Sequence, residues 1–193
     1  MDTFRTAHKS DAEAIAQLVN KAYRPELGAS GWTHESNLVS GSRTNADQVS
    51  ETISKPASVI LVGLEDPEIV ACVHIEKDGS NSHIGMLAVS PILQGAGIGK
   101  KMLAHAERYA SEIFGSEKFI MVVVSSRSEL ISFYLRRGYQ KTGSVMDYPL
   151  LAGAGTPKHA GLKIEALEKR SNIAFERGTP KVAHPSTLRM RQW

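Results

Sequence analysis

The segment "VSPILQGAGIGKKM", Val89 to Met102, constrains this chain more than any other. Glycines at 95, 97 and 99 lie between an apolar strand-like run and a segment whose apolar residues recur at helical spacing. Such a strand–loop–helix lets the backbone approach a ligand closely and aims the free amides of a helix N-terminus at an anion, which makes it a phosphate cradle. A tight strand-to-helix turn asks for the same glycines, so the segment alone leaves both readings open. A nucleotide-hydrolysing P-loop requires four residues between its glycines and then Lys-Ser/Thr. Here three residues separate Gly95 from Gly99, and Lys100 is followed by Lys101. A dinucleotide fingerprint requires a further glycine where this chain has Lys100 or Met102. Neither pattern is met.

With 193 residues, 41% of them apolar and 22% charged, the chain can bury one sizeable core and carry an appendage. The net charge of +3 invites a nucleic-acid reading until it is located. From Pro157 onward there are 8 Lys/Arg against 3 Asp/Glu, and the remainder holds 15 against 17. The basicity belongs to a tail without an aromatic-lined stripe, which argues against nucleic acid as a partner. Cys72 is the single cysteine, so no internal disulfide forms and the chain suits a reducing cytoplasm. Its surroundings, "VACVHIE", alternate like a strand and predict a packed thiol. No signal-peptide core opens the sequence, and runs such as "FIMVVV" are too short to span a membrane.

The element pattern predicts an α+β fold. "FRTA" reads as a strand and "SDAEAIAQLVNKAY" as a helix with Ser10 and Glu13 as a capping box and Ile15, Leu18, Val19 and Ala22 on its apolar face. Residues 24–45 read as a loop, and "NADQVSETIS" as a second helix. "ASVILVGLE" and "EIVACVHIE", split by Asp66-Pro67, suit a hairpin, and "KDGSN" turns the chain into the strand "SHIGMLAV". After the glycine loop, Ile98, Met102, Leu103, Ala106, Tyr109, Ala110 and Ile113 mark a long helix ending near Gly115. "FIMVVV" predicts a strand buried on both faces. "SSRSELISFYLRR" predicts a short helix capped by Ser126 and Glu129 and stopped by Gly138. "YQKTGSV" and "LKIEALE" supply the last strands, giving a mixed, mostly antiparallel sheet of about six or seven strands flanked by about four helices. The domain boundary falls at 169, with residues 170–193 as a basic tail.

A second segment, "FYLRRGY", lies about one βα unit beyond the glycine loop. Together the two resemble the best-known motifs of the GNAT superfamily of N-acetyltransferases. Gln94, Gly97 and Gly99 fill the form Gln/Arg-x-x-Gly-x-Gly/Ala, and Tyr134, Gly138 and Tyr139 fill Tyr-x-x-x-Gly-Phe/Tyr. The element order from Phe4 to about Val145 also follows the family, so the resemblance covers roughly three quarters of the chain.

The resemblance implies acetyl-CoA as cosubstrate, with the amides of Gln94, Gly95, Ala96, Gly97, Ile98, Gly99 and Lys100 wrapping its pyrophosphate. It places the pantetheine arm along Leu87, Ala88 and Val89, in a gap where that strand splays from "FIMVVV", and a strand amide near Leu87 against the thioester carbonyl. The family has Asn seven residues before the motif tyrosine, where this chain has Arg127. Arg127 supplies an adenosine phosphate contact or weakens the pantetheine bond, and Ser125, Ser126 and Ser128 are the candidate replacements. Arg136 and Arg137 are placed to reach the 3′-phosphate.

Amine acetylation requires a deprotonated amine, since an alkyl amine of pKa near ~10.4 is mostly charged at neutral pH, and a proton for the departing thiolate. The resemblance nominates Tyr134 as the acid. His83 occupies the strand position where some family members keep a catalytic glutamate, and an imidazole titrates near neutrality. Glu76, across the hairpin, and Glu35 are rival bases. Trp32 and Glu35 can furnish a wall and a charge for the acceptor amine. His34-Glu35 opens like a zinc helix but continues to Leu38, so no metal is expected. The acceptor is a small amine or a peptide, and the chain leaves open whether it works alone or as a homodimer. Transfer of a longer acyl group and a non-catalytic acyl-CoA sensor are the alternatives.

Overall fold

The β-branched runs on either side of Asp66-Pro67 pair as a hairpin in the computed structural model, which describes residues 3–25, 34–150 and 153–172. In chain order the elements are β1 (Thr3–Thr6), α1 (Ala12–Tyr23), β2 (Val39–Ser40), α2 (Ala46–Ser54), β3 (Ser58–Glu65), β4 (Glu68–Asp78) and β5 (Asn81–Val89). They continue with α3 (Ile98–Glu112), β6 (Lys118–Val124), α4 (Ser128–Leu135), β7 (Gln140–Asp147), β8 (Thr156–Pro157) and β9 (Lys163–Arg170). Seven strands form one sheet in the order β1-β3-β4-β5-β6-β9-β7, antiparallel at every step except β5 to β6. The predicted mixed sheet with four helices is therefore the observed architecture. Among the described residues no helix is long and apolar enough to cross a membrane.

Period-two alternation builds a core on each face of this sheet. On β3 and β4, Leu61, Val73 and Ile75 join Met102, Leu103, Ala106 and Ala110 of α3 on one side. Ile60, Val62 and Cys72 join Ile15, Val19 and Ala22 of α1 and Val49 of α2 on the other. Each fully buried aliphatic side chain contributes about 1.5–3 kcal/mol, so both helical layers are held chiefly by these stripes. Cys72 is fully buried, and burial pushes its thiol up to about 12, the packed role its alternating neighbours predict.

Several local expectations are corrected. The Ser10/Glu13 capping box is absent: Asp11 ends a short 3-10 turn, accepts from the His8 amide at 2.7 Å and binds Arg5 through both oxygens. The box instead runs from His8 to Asp11, two residues before the predicted one, and Asp11 is held there by its charge-assisted pairing with Arg5. Similarly, α4 begins at Ser128 with Arg127 at its N-cap and no side-chain cap, so Ser126 and Glu129 do not form a box. Gly138 does stop the helix, at φ +88°. Ile113 lies past the end of α3 and is 63% exposed. β6 is not buried on both faces, because Ile120 and Val122 border a cavity and are only half-buried. The strands β2 and β8, two residues each, were not predicted; they clip the loop before α2 to the segment before β9. The last strand runs one residue past the predicted boundary, Arg170 pairing with Lys118 and the Ser171 amide donating to the Glu117 carbonyl at 2.8 Å. The rest of the proposed tail, 173–193, lies outside the described residues, as does Trp32.

Candidate active site

The parallel pairing of β5 with β6 is short. Asn81, Ser82 and His83 face Lys118, Phe119 and Ile120, and no pairing between these strands continues beyond them, although β6 stays paired with β9 along its whole length. β5 is also bulged against β4 between Cys72 and His74, and Met86 there adopts φ +49°, a conformation costly for a residue with a side chain. The bulge turns the second half of β5 away from β6 and opens a wedge in the sheet. The Ser90 amide donates to the Val70 carbonyl at 2.8 Å, so alternation turns the Val89 amide and carbonyl away from β4, toward the open edge. Gln94 Nε2 closes on that carbonyl at 3.2 Å and ties the glycine loop to the strand.

The glycine loop fits the role of an anion cradle. Gly95 and Gly97 sit at φ +86° and +80°, and a Cβ at either would meet no protein atom within 4 Å, so their open side faces free space. Lys101 makes the first helical bond, to the Gly97 carbonyl at 3.1 Å, leaving the amides of Ile98, Gly99 and Lys100 without helical acceptors. A cavity of about 310 Å³ lies against this loop, lined by Gln94, Gly95, Gly97, Gly99 and Lys100, by Leu87, Ala88 and Val89, and by Arg136 and Arg137, which directly follow α4. Phe133 packs beneath Arg137, whose guanidinium carbon is 3.4 Å from the ring centroid. Ala96 does not line this cavity; Ile98 buries its side chain in the core and offers only its amide. Ser128 is exposed at the start of α4 and lines no part of it.

A second cavity, about 260 Å³, continues through the wedge. Tyr134, His83 and Glu35, distant in sequence, all line it, together with Glu76. Tyr134 is 7% exposed, edge-on to Tyr139 with ring centroids 5.8 Å apart, and burial raises its phenol pKa, so it stays protonated. His83 faces Glu76 across the hairpin and lies 3.6 Å from Asp78. Burial pulls its pKa down and the neighbouring acids pull it back partway, so the ring is neutral at pH 7. Glu35 is buried between two arginines, 2.8 Å from Arg24 and 3.8 Å from Arg127, an arrangement suited to holding charge.

Tyr23, Arg127 and Leu130 line both cavities and form their junction. The Tyr23 hydroxyl donates to the Leu87 carbonyl at 3.2 Å, fixing the bulged strand to α1. Arg127 is 6% exposed and sits over the Tyr23 ring, inside the wedge and not at its outer end. Sequence reasoning flagged Arg127 as a departure but missed Tyr23, Arg43, His74 and Tyr148, which also border the second cavity. Tyr23 directly follows the buried stripe of α1, and an aromatic with a polar tip at that place was the available signal.

The sequence model of the Acetyltransferase (GNAT) family matches residues 13–139. Comparison with curated protein sequences gives no match. Among solved structures, the ribosomal-protein-S18-alanine N-acetyltransferase of Escherichia coli superposes with a TM-score of 0.66 at 15% identity, over 93% of this chain and 99% of that one. A spermidine N-acetyltransferase from Vibrio cholerae gives 0.61 at 15% identity, over 88% and 95%. An IAA acetyltransferase from Bacillus cereus gives 0.59 at 17%, over 87% and 98%. At these identities the structural likeness speaks for the fold, and the acceptors in those names differ from one another. The wedge, the glycine cradle and the family match over residues 13–139 agree: the chain belongs to the GNAT acetyltransferase family.

Proposed function

We propose that the protein transfers the acetyl group of acetyl-CoA to the primary amine of a small molecule or peptide, by direct attack within a ternary complex in the cytoplasm. The observation that carries this reading is the pair of cavities meeting at Tyr23, Arg127 and Leu130, one against the glycine cradle and the other lined by an acid and a base. When bound, acetyl-CoA supplies an activated thioester. The amides of the glycine loop from Gln94 to Lys100 bind the pyrophosphate, and the fixed dipole of α3 favours its charge. Arg136 and Arg137 receive the 3′-phosphate at the mouth. The open edge of β5 at Leu87 and Val89 aligns the pantetheine, and its amides polarise the carbonyl.

In the second cavity, neutral His83 accepts the proton that the amine must lose, directly or through one water, with Glu76 beside it to steady the resulting charge. Tyr134 donates its phenolic proton to the sulfur as the carbon–sulfur bond breaks. Burial supports this assignment because it keeps the phenol protonated at neutral pH. Glu35 positions Arg24 and Arg127 and so shapes the acceptor side of the wedge. The test is release of free CoA thiol from acetyl-CoA across a panel of amines, polyamines, amino acids and peptides. Amine-dependent release is the expected result; tight binding of acetyl-CoA without release under any amine would overturn transfer in favour of a sensing role.

A further inference from the structure

Two guanidinium groups flank the ring of Tyr23, the Arg43 carbon 5.5 Å from its centroid and the Arg127 carbon 5.6 Å. They differ in what balances them. Arg127 has the Glu35 carboxylate at 3.8 Å, whereas no carboxylate of the described residues stands within ion-pair distance of Arg43. Arg43 is half-buried and lines the second cavity. Its backbone is fixed from behind, where the Arg43 and Thr44 amides share the Asn20 side-chain oxygen at 2.7 and 3.3 Å. Lys55, at the end of α2, and His74 line the same cavity, and burial, with Lys55 and Arg43 adding to it, holds the His74 imidazole toward its neutral form. The acids of this cavity lie elsewhere or are engaged: Glu35 with its two arginines, Glu76 opposite His83, and Glu51 exposed on α2. The wall beside Tyr23 is therefore cationic and lacks its own counter-ion among the described residues.

We propose that Arg43 recognises a carboxylate on the acceptor, and that the acceptor is a compact amino acid with amine and carboxylate only a few bonds apart. The inference rests on the amine acetylation proposed above. Its geometric basis is Tyr23, whose hydroxyl holds the Leu87 carbonyl while its ring carries Arg43. A single tyrosine ring thus separates the cation from the strand segment where the thioester is bound. A carboxylate on the guanidinium fork and an amine at the thioester belong to one small molecule. A half-buried guanidinium binds a carboxylate by paired charge-assisted hydrogen bonds, which fix the orientation of the planar group. A polyamine would bring a second positive charge against Arg43 and be disfavoured.

The test compares matched acceptors: amino acids, their carboxamides and their decarboxylated amines, each with acetyl-CoA. The carboxylate member should exceed both others by about 10–100-fold in kcat/KM, the range that a charged hydrogen-bonded contact confers. In Arg43→Gln that ratio should fall to near unity, and Arg43→Lys, which keeps charge but not the fork, should fall between. An acetyl-CoA-induced rise in melting temperature in each variant establishes that it is folded. Preference for decarboxylated amines, or a carboxylate preference that survives Arg43→Gln, overturns the inference while leaving acetyl transfer intact. Failure of every acceptor despite acetyl-CoA binding overturns both.

Discussion

Arg24 and Glu35 form an ion pair of 2.8 Å with side chains only 8% and 4% exposed. Arg24 also donates to the carbonyls of Gly41 and Ala154, and the other Glu35 oxygen faces Arg127. Two guanidiniums thus share one buried carboxylate, and the loop after α1, the start of α4 and the segment before β8 are bound through it. Removing one partner of such a cluster leaves uncompensated charge in a poorly solvated site. Glu35→Gln should destabilise the protein by about 3–5 kcal/mol in urea unfolding. A loss of a few tenths would mean that water reaches these arginines and that the cluster does not organise the cavity.

Gly97 at φ +80° offers a separable test of the cradle. A Cβ there has no non-neighbouring protein atom within 4 Å, so in the free protein the expected cost of Gly97→Val is backbone strain, about 1–2 kcal/mol. If the phosphates approach this open face, as proposed above, the side chain occupies it and the ligand-induced rise in melting temperature should vanish. Gly79, at φ +60° in the turn between β4 and β5 and equally uncrowded, is the control. Gly79→Val should carry similar strain yet keep the ligand-induced rise, measured by differential scanning fluorimetry.

How much of this was legible follows from where the forces are local. The stripes of α1 and, apart from Ile113, of α3, the Asp66-Pro67 hairpin and the Gly138 stop are written in short-range periodicity and turn chemistry, and they appear as predicted. The first cap failed because the Arg5 side chain, six residues away on β1, engages Asp11 and the box forms from His8 to Asp11. The wedge was predicted only through family resemblance, because the bulge that diverts the strand carries only a weak local signal, Gly85 inside β5, which alone fixes no direction of divergence. Arg127, Arg43 and Tyr23 converge on one point from three elements, and a sequence carries no distance between them.

His74 links the cationic wall to stability. Its ring nitrogen lies 2.9 Å from the Ser58 hydroxyl, and burial, assisted by Lys55, Arg43 and His83, lowers its pKa from 6.5 to about 4. In the unfolded chain the imidazole takes up a proton near pH 6.5, while the folded protein resists until about pH 4. This contribution is therefore fully present above pH 6.5 and is lost as pH falls through that interval. Between pH 7 and 5 the loss should be about 1–2 kcal/mol, and His74→Gln should remove it from the pH dependence of urea unfolding. An identical slope in wild type and variant would show that His74 is solvated enough to titrate normally.

Tyr134 separates catalysis from packing. Its ring lies edge-on to Phe133 and Tyr139, and Phe in its place retains most of those contacts while deleting the hydroxyl proposed above as the proton donor. The thiolate of CoA is a moderately basic leaving group, near ~8.5 for an ordinary thiol, so a positioned donor lowers the barrier to carbon–sulfur cleavage. Tyr134→Phe should reduce the single-turnover rate by about 10²–10⁴, the span of general-acid contributions. Acetyl-CoA affinity should hardly change, because the hydroxyl matters only as charge develops on sulfur. Solvent exchange of the lost proton could mimic the donor, so the rate is followed from pH 6 to 9, a window chosen to bracket the ~8.5 of a free thiol. If Tyr134 is the acid, the variant should slow most at the alkaline end, where water-borne protons are scarce. Equal rates for wild type and variant across that range would show that another group protonates the thiolate and that Tyr134 serves only to pack α4 against the sheet.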